Sequence, residues 1–345
     1  MKIVETGKRN RSIEMIYIRT DKNYMYQSSL DPKTPGTSGI GAAPLQTNLL
    51  LHINGGLGKC IMATAVIRSY KAANPQSKVV VVSGYPEVFL HNPDIYKNFP
   101  FNTPYLWQDY YGKPGWNVEA QDPYLNDAWI KNRKQHLIDI WCGMLRIPSI
   151  QKTPLLYFSG PEADELNSQI KVDKPLLVVQ STGGSNPGAR SWTRNPPQHE
   201  FEEYLAQFKD THFVLHLALP DTPVLRNVHQ RVDNFDRRKA MCLMYYAQEV
   251  LGIDSYAMHA RAANPNAGPS VFFLPLAETE QRLGYQKKTI KYLTPRQEIQ
   301  DLLKDHQDYF ATVFKLGIED ISENCPVVAG ERWFDFETAP MHVQV

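Results

Sequence analysis

Apolar residues gather in short runs separated by glycine- and hydroxyl-rich turns, and between them lie stretches with helical spacing. Asn48 to Ile53 reads as a strand, Asn54-Gly55-Gly56-Leu57-Gly58-Lys59 as a turn, Ile61 to Ala73 as a helix and Lys78 to Ser83 as a second strand. Together they make a βαβ unit, whose crossover is right-handed. The pattern restarts after the polar stretch Lys171 to Pro175: a strand at Leu176 to Gln180, a helix at Pro197 to Phe208 and a strand at His212 to Leu219. A helix at Asp236 to Tyr246, a strand at Glu249 to Gly252, a helix start near Asp254 and a further strand at Val271 to Leu274 complete it. The class is α/β, with two Rossmann-like domains facing a cleft, at 47–170 and 175–290.

The flanks read differently. Residues 1–46 hold one short apolar piece, Ile13 to Ile18, and a Pro/Gly/Ser-rich connector, Asp31 to Pro44, and form an N-terminal extension. Lys131-Asn132-Arg133-Lys134 opens a helix with Leu137, Ile138, Trp141, Met144 and Leu145 on its core face. In the last segment, 295–345, an amphipathic helix from Pro295 to Phe314 precedes an irregular tail, placed to return to the first domain.

Candidate chemistry lies in the turns that leave strand ends, where open α/β sheets bind ligands. The turn at Gly55, Gly56 and Gly58 fails the dinucleotide fingerprint, with Ile61 at the third glycine position, and fails the P-loop, with Ile53 and Cys60 at its ends. It serves a tight helix-on-sheet turn as readily as a ligand loop. Glu87, Asp94 and Asp109 are acids in loops of the first domain. The loop Ser181 to Trp192 combines Ser181, Thr182, Gly183 and Arg190, donors suited to a diphosphate. At Asp254-Ser255-Tyr256-Ala257-Met258-His259, Asp254 or Ser255 can cap a helix whose free N–H groups suit a phosphate, with Met258 and His259 in the first turn. A capped helix with a buried methionine and a satisfied histidine fits the same residues.

Composition narrows the classes. With 37 Lys+Arg against 36 Asp+Glu, the net charge of +1 lacks the field of an avid, non-specific nucleic-acid binder. The dispersed cysteines, Cys60, Cys142, Cys242 and Cys325, write neither a zinc nor a redox motif and are expected to be reduced. No signal peptide or membrane-length run is visible, so a cytoplasmic location is expected.

The order of parts resembles the ADP-heptose:lipopolysaccharide heptosyltransferase family of GT-B glycosyltransferases. Gly56-Leu57-Gly58-Lys59-Cys60-Ile61-Met62-Ala63-Thr64-Ala65 is similar to that family's G-x-G-D-x-x-x-T-x-A pattern except at the acid. Asp254, Ser255, His259, Ala262 and Ala263 match its D-[ST]-G-x-x-H-x-x-A-A turn, with Tyr256 in place of glycine. The resemblance implies a sugar moved from a nucleotide-diphosphate donor to an acceptor hydroxyl by an inverting displacement, with no cofactor beyond the donor. It places the diphosphate at Ser181, Thr182 and Arg190, with Asp254 and Ser255 capping the helix end nearest it and His259 close to a phosphate or the ribose; Gly56, Gly58, Gly183 and Met258 join the expected donor site from the turns they occupy. The family's acid, its general base, is here Lys59, which cannot accept a proton when charged. Glu87 is the first candidate to replace it, followed by Asp94 and Asp109. No D-x-D motif follows a strand, so Arg190, Lys59 and helix N-termini are expected to neutralise the leaving diphosphate without a metal. The expected acceptor is a glycan or lipid-linked sugar, with a hydroxymethylated DNA base as the other option, for which the basic, aromatic Trp129 to Lys134 speaks. The rival class is a non-catalytic nucleotide- or glycan-binding protein derived from such a transferase.

Overall fold

The computed structural model describes residues 48–131, 134–170, 172–183, 195–219, 222–304 and 332–335. All belong to the compact unit Gln46–Val345. The expected extension 1–46 lies outside the described residues, as do Cys325 and most of the C-terminal segment.

The first half runs β1 (Asn48–Ile53), α1 (Leu57–Ala73), β2 (Val79–Ser83), β3 (Lys97–Pro100), β4 (Trp116–Glu119), α2 (Asp127–Lys131), α3 (Leu137–Met144) and α4 (Gly160–Gln169). The second runs β5 (Leu176–Val179), α5 (Gln198–Ala206), β6 (Phe213–Ala218), β7 (Gln230–Asp233), α6 (Arg237–Tyr246), β8 (Glu249–Ile253), α7 (Tyr256–Ala263), β9 (Ser270–Phe273), α8 (Ala277–Leu283) and β10 (Ile290–Leu293). The first sheet has the order β3-β2-β1-β4 and the second β10-β9-β8-β5-β6-β7. Every strand pairing in them is parallel.

Apolar runs such as Leu49-Leu50-Leu51 and Val79 to Val82 are fully buried because parallel strands are covered on both faces. Leu49, Leu51 and Ile53 share a core with Val178, Val250 and Phe272 of the second sheet, through Ile61 and Val66 of α1, Trp141 of α3, Met241 of α6 and Met258 of α7. Leu50, Val80 and Val82 face the other way, against Leu106 and Tyr110. Helices from both halves therefore form the layer between the two sheets.

Arg238, at the start of α6, fastens that layer. Its Nε pairs with Glu162 Oε1 at 2.6 Å, Nη1 donates to the Glu87 carbonyl at 3.1 Å, and Nη2 donates to the Tyr157 carbonyl. The guanidinium holds the Glu162 carboxyl at about 2, well below its ordinary range.

Two expectations are amended. Lys131 ends α2 instead of opening the following helix; α3 starts at Leu137, where His136 Nδ1 accepts from Ile138 N at 3.2 Å. The described part of the C-terminal segment lies on the second half: Ile299, Leu303, Trp333 and Phe334 join Phe201, Tyr204 and Phe273 in one cluster. The buried Glu200 carboxylate accepts the main-chain N–H groups of Trp333 and Phe334 at 2.6 and 2.8 Å. Cys60, Cys142 and Cys242 are buried and free.

Candidate active site between two strand-end crevices

In each sheet the chain changes its winding direction once along the strand order. β1 is flanked by β2 and β4, and β5 by β6 and β8. Crevices open beyond the carboxyl ends of strands at such points. The first is bordered by the turns after β1 and β4, the second by those after β5 and β8.

At the first crevice, Gly55 adopts a φ of 122°, a conformation that L side chains rarely take. This lets Lys59 fold back over the turn; a Cβ on Gly55 would stand 2.6 Å from its Nζ. Gly56 precedes α1, which has no side-chain cap. Lys59 is only 8% exposed and donates to the Asn54 carbonyl at 2.7 Å and to Asp122 Oδ2 at 2.6 Å. Its Nζ also lies 5.0 Å from the centre of the Tyr124 ring. Two of the three ammonium hydrogens are thus taken by oxygens, with the Tyr124 ring as a further neighbour. Asp122, in the turn after β4, accepts from Tyr124 N at 3.0 Å through its other oxygen and is 27% exposed. The Cys60 thiol beside Lys59 is pushed up to about 12 by burial, so it is no nucleophile.

At the second crevice, Gln180 N donates to the Leu251 carbonyl at 2.9 Å, continuing the β5–β8 pairing. Ser255 caps α7, accepting from Ala257 N at 3.3 Å, and donates to Gln180 Oε1 at 2.5 Å. Asp254 is buried beside it, its N–H on the Phe273 carbonyl. Thr182 Oγ1 meets Thr222 Oγ1 at 2.9 Å, and Gly183 N donates to Asn195 Oδ1 at 2.9 Å. Ser181 Oγ lies 3.0 Å from Nε2 of His216, a fully buried histidine. Burial, with Arg231 adding to it, brings the His216 imidazole down to about 4, so it is neutral near pH 7. Its Nδ1 has no partner among the described residues. The tautomer protonated on Nε2 leaves a lone pair there in place of an unpaired N–H, and directs the Ser181 hydroxyl hydrogen elsewhere. Arg190 lies outside the described residues.

The crevices face each other because α1 and α7 meet at their first turns. A Cβ on Gly58 would stand 2.8 Å from His259 Cδ2 and 3.6 Å from Tyr256 Cα. His259 is 3% exposed, its Nδ1 2.7 Å from the hydroxyl of buried Tyr285. Arg282 of α8 lies 3.5 Å over the Trp129 ring and donates to the Trp129 carbonyl at 2.9 Å. A continuous polar and aromatic seam therefore runs from Lys59 through Asp122, Tyr124, Trp129 and Arg282.

The remaining sequence candidates occupy other settings. Met258 is fully buried in the shared core. Glu87 lies half-buried on a 3-10 turn whose carbonyl is bound by Arg238. Asp94 is paired with Arg68 at 2.5 Å. Asp109 is exposed on a π-helical turn, Trp107–Tyr111. Asp122 was not among the sequence candidates. Its signal was indirect: a lysine inside the apolar start of α1 requires a counter-charge.

No family model matches the sequence, and no curated protein matches it. Solved structures do. The chain is similar to ADP-heptose lipopolysaccharide heptosyltransferase II of E. coli, with 13% identity over 78% of this chain and 99% of that one and a TM-score of 0.55. It is similar to the glycosyl transferase family 9 protein of Veillonella parvula, with 13% identity over 80% and 90% and a TM-score of 0.53. E. coli heptosyltransferase WaaC with ADP follows, with 10% identity over 77% and 99% and a TM-score of 0.50. At such identities the likeness is one of fold: the chain has the two-sheet α/β fold of GT-B glycosyltransferases, in the form that heptosyltransferases take. Among the described residues, no helix is long and apolar enough to cross a membrane.

Proposed function

We propose that the protein is a glycosyltransferase that moves a sugar from a nucleoside-diphosphate donor to the hydroxyl of a glycan or lipid-linked sugar. The observation that carries this reading is the meeting of two strand-end crevices at Gly58 and His259. One crevice supplies hydroxyls, the other an ion-paired carboxylate, so donor and acceptor have separate walls. Ser181 and Thr182 supply hydroxyls for the diphosphate, Ser255 caps the helix end beside them, and the N-termini of α1 and α7 favour its charge. Arg190 is proposed to complete the charge as a bidentate cation. Lys59 is engaged by Asp122 and Asn54, and in this arrangement its charge is spent within the first crevice.

The reaction is proposed as an inverting displacement. The acceptor oxygen bonds to the anomeric carbon while the bond to the diphosphate breaks, the electron pair leaving with the phosphate. Metal independence belongs to the same proposal, resting on the absence of D-x-D from the sequence; turnover that survives treatment with EDTA is the expected result. A glycan is favoured over DNA as acceptor because Trp129, the aromatic of the basic stretch, has its ring covered by Arg282.

Lysine at position 59, where the resemblance expects an acid, supports a second reading as a non-catalytic nucleotide-binding protein. Calorimetry with ADP, GDP and UDP, followed by nucleoside diphosphate release from the matching sugars, separates the two. Saturable binding with release supports the transferase, binding without release the second reading, and no binding contradicts both.

A further inference from the structure

We infer that Asp122 is the general base of the proposed transfer, and that Lys59 is the residue that positions it. The inference rests on the glycosyl-transfer reading and assigns a role that the sequence alone placed on Glu87, Asp94 or Asp109.

The base must lie on the acceptor side, so it is sought at the first crevice. The turn after β1 offers no carboxylate, because Lys59 occupies the start of α1. The turn after β4 offers Glu119 and Asp122. Glu119 folds onto its own turn, with Oε1 accepting from Gln121 N at 2.9 Å, and burial raises its carboxyl. Asp94, Glu162 and Asp139 are tied to Arg68, Arg238 and Lys152, while Glu87 and Asp109 stand on the turns Pro86–Phe89 and Trp107–Tyr111, which follow β2 and β3 rather than β1 or β4. The Arg238 guanidinium holds Glu162 at about 2, too low for a useful base near pH 7.

Asp122 differs in three respects. It stands at the crevice, joined to the Gly55 turn through Lys59. It retains access to solvent, at 27% exposure. Its oxygens have capacity left, because a carboxylate offers about four lone-pair sites and the bonds from Lys59 Nζ and Tyr124 N take one on each oxygen.

Lys59 does not compete as base, because its Nζ is the donor to both the Asn54 carbonyl and Asp122 Oδ2. Its hold on Oδ2 fixes the direction of the carboxylate, while the Asn54 carbonyl fixes the ammonium. In the transfer, the acceptor O–H proton passes to an Asp122 oxygen as the acceptor oxygen bonds to the anomeric carbon. The nucleoside diphosphate departs with the electron pair of the broken C–O bond. No oxidant, reductant or further reactant enters.

The test uses the full chain and whichever of ADP-, GDP- or UDP-glucose it hydrolyses, with water as the acceptor that needs the same base. Asp122→Asn is expected to lower nucleoside diphosphate release by about 100-fold or more and to leave the affinity for the free diphosphate within about twofold. Lys59→Met is expected to lower kcat with KM held within about twofold, and Lys59→Arg to restore part of the rate, the split that a positioning residue gives. Asp122→Glu is expected to restore part of the rate, and it keeps the test valid if the amide variant folds poorly. Full release by Asp122→Asn overturns the inference while leaving the transferase reading intact. Loss in Glu119→Gln with Asp122→Asn unaffected overturns it equally. An Asp122→Asn variant that loses diphosphate affinity along with rate assigns the residue a structural role and also overturns it. If the wild type binds none of the diphosphates, the transferase reading and this inference fall together.

Discussion

Gly58 of α1 and His259 of α7 are in direct contact, and the absence of a side chain at position 58 is what permits it: a Cβ there would stand 2.8 Å from His259 Cδ2. The imidazole has little room to yield, because its Nδ1 is held 2.7 Å from the Tyr285 hydroxyl. Gly58→Ala is therefore expected to cost about 1–3 kcal/mol, the range of an overpacked core, and to weaken binding of nucleoside diphosphate. Gly56→Ala provides the comparison on stability, since its φ is −78° and its Cβ would meet nothing within 4 Å. Denaturant titration of both variants checks the pair, and equal stabilities would remove Gly58 as the joint between the halves.

Arg261 is a second joint, wholly inside the second half. Fully buried, it donates from Nε to Ser270 Oγ and from its terminal nitrogens to the carbonyls of Met244, Tyr245, Ala247 and Gln248. Burial lowers the guanidinium to about 10, still charged near neutrality. Arg261→Met fills much of the space and removes every donor, leaving those carbonyls without it. The expected loss is about 3 kcal/mol or more, read as a lower denaturant midpoint; a midpoint equal to wild type would contradict the role.

Acid should destabilise the fold in two steps. His216 titrates at about 4 when folded against an ordinary 6.5, so between those values the unfolded chain binds the extra proton. Stability is therefore lost as pH falls from 6.5 to 4, by a ceiling on the order of 3 kcal/mol. Burial lowers His136 too, with the same sign. Glu162, at about 2 when folded against an ordinary 4.5, adds a loss between pH 4.5 and 2 as its bond to Arg238 is surrendered. His216→Gln is expected to flatten the upper step alone in urea titrations across pH; an unchanged slope from 6.5 to 4 would refute the assignment.

Much of this fold was legible where strands are central. Leu49 to Ile53, Val79 to Val82, Leu176 to Val179 and Val250 to Ile253 lie within the sheets, covered on both faces, and their apolar runs announce it. The edge strands β3 and β7, Lys97–Pro100 and Gln230–Asp233, are half-solvated and polar. Their pairing with Val80 to Ser83 and Leu215 to Ala218 defines them, and that is tertiary information. β4 was hidden for the same reason within an aromatic, proline-rich stretch.

The site divides along a similar line. The turns at Gly55 and Ser255 carry local signals, a glycine cluster and a capping hydroxyl, and were readable. The Lys59–Asp122 pair spans 63 residues and joins turns after different strands, so spacing along the chain carries no trace of it. Likewise Ser181 was readable as a loop hydroxyl, whereas His216 beneath it belongs to an apolar strand and is linked only through the β5–β6 pairing.

The proposed transfer requires a nucleoside diphosphate where the two crevices meet. Amide hydrogen exchange with and without saturating ADP, GDP or UDP tests it most directly. One of them is expected to slow exchange at Gly56 to Lys59, Ser181 to Gly183 and Ser255 to Met258, while the distant edge strands β3 and β7 remain unchanged. Protection confined to other segments, or none with any of the three, would contradict it.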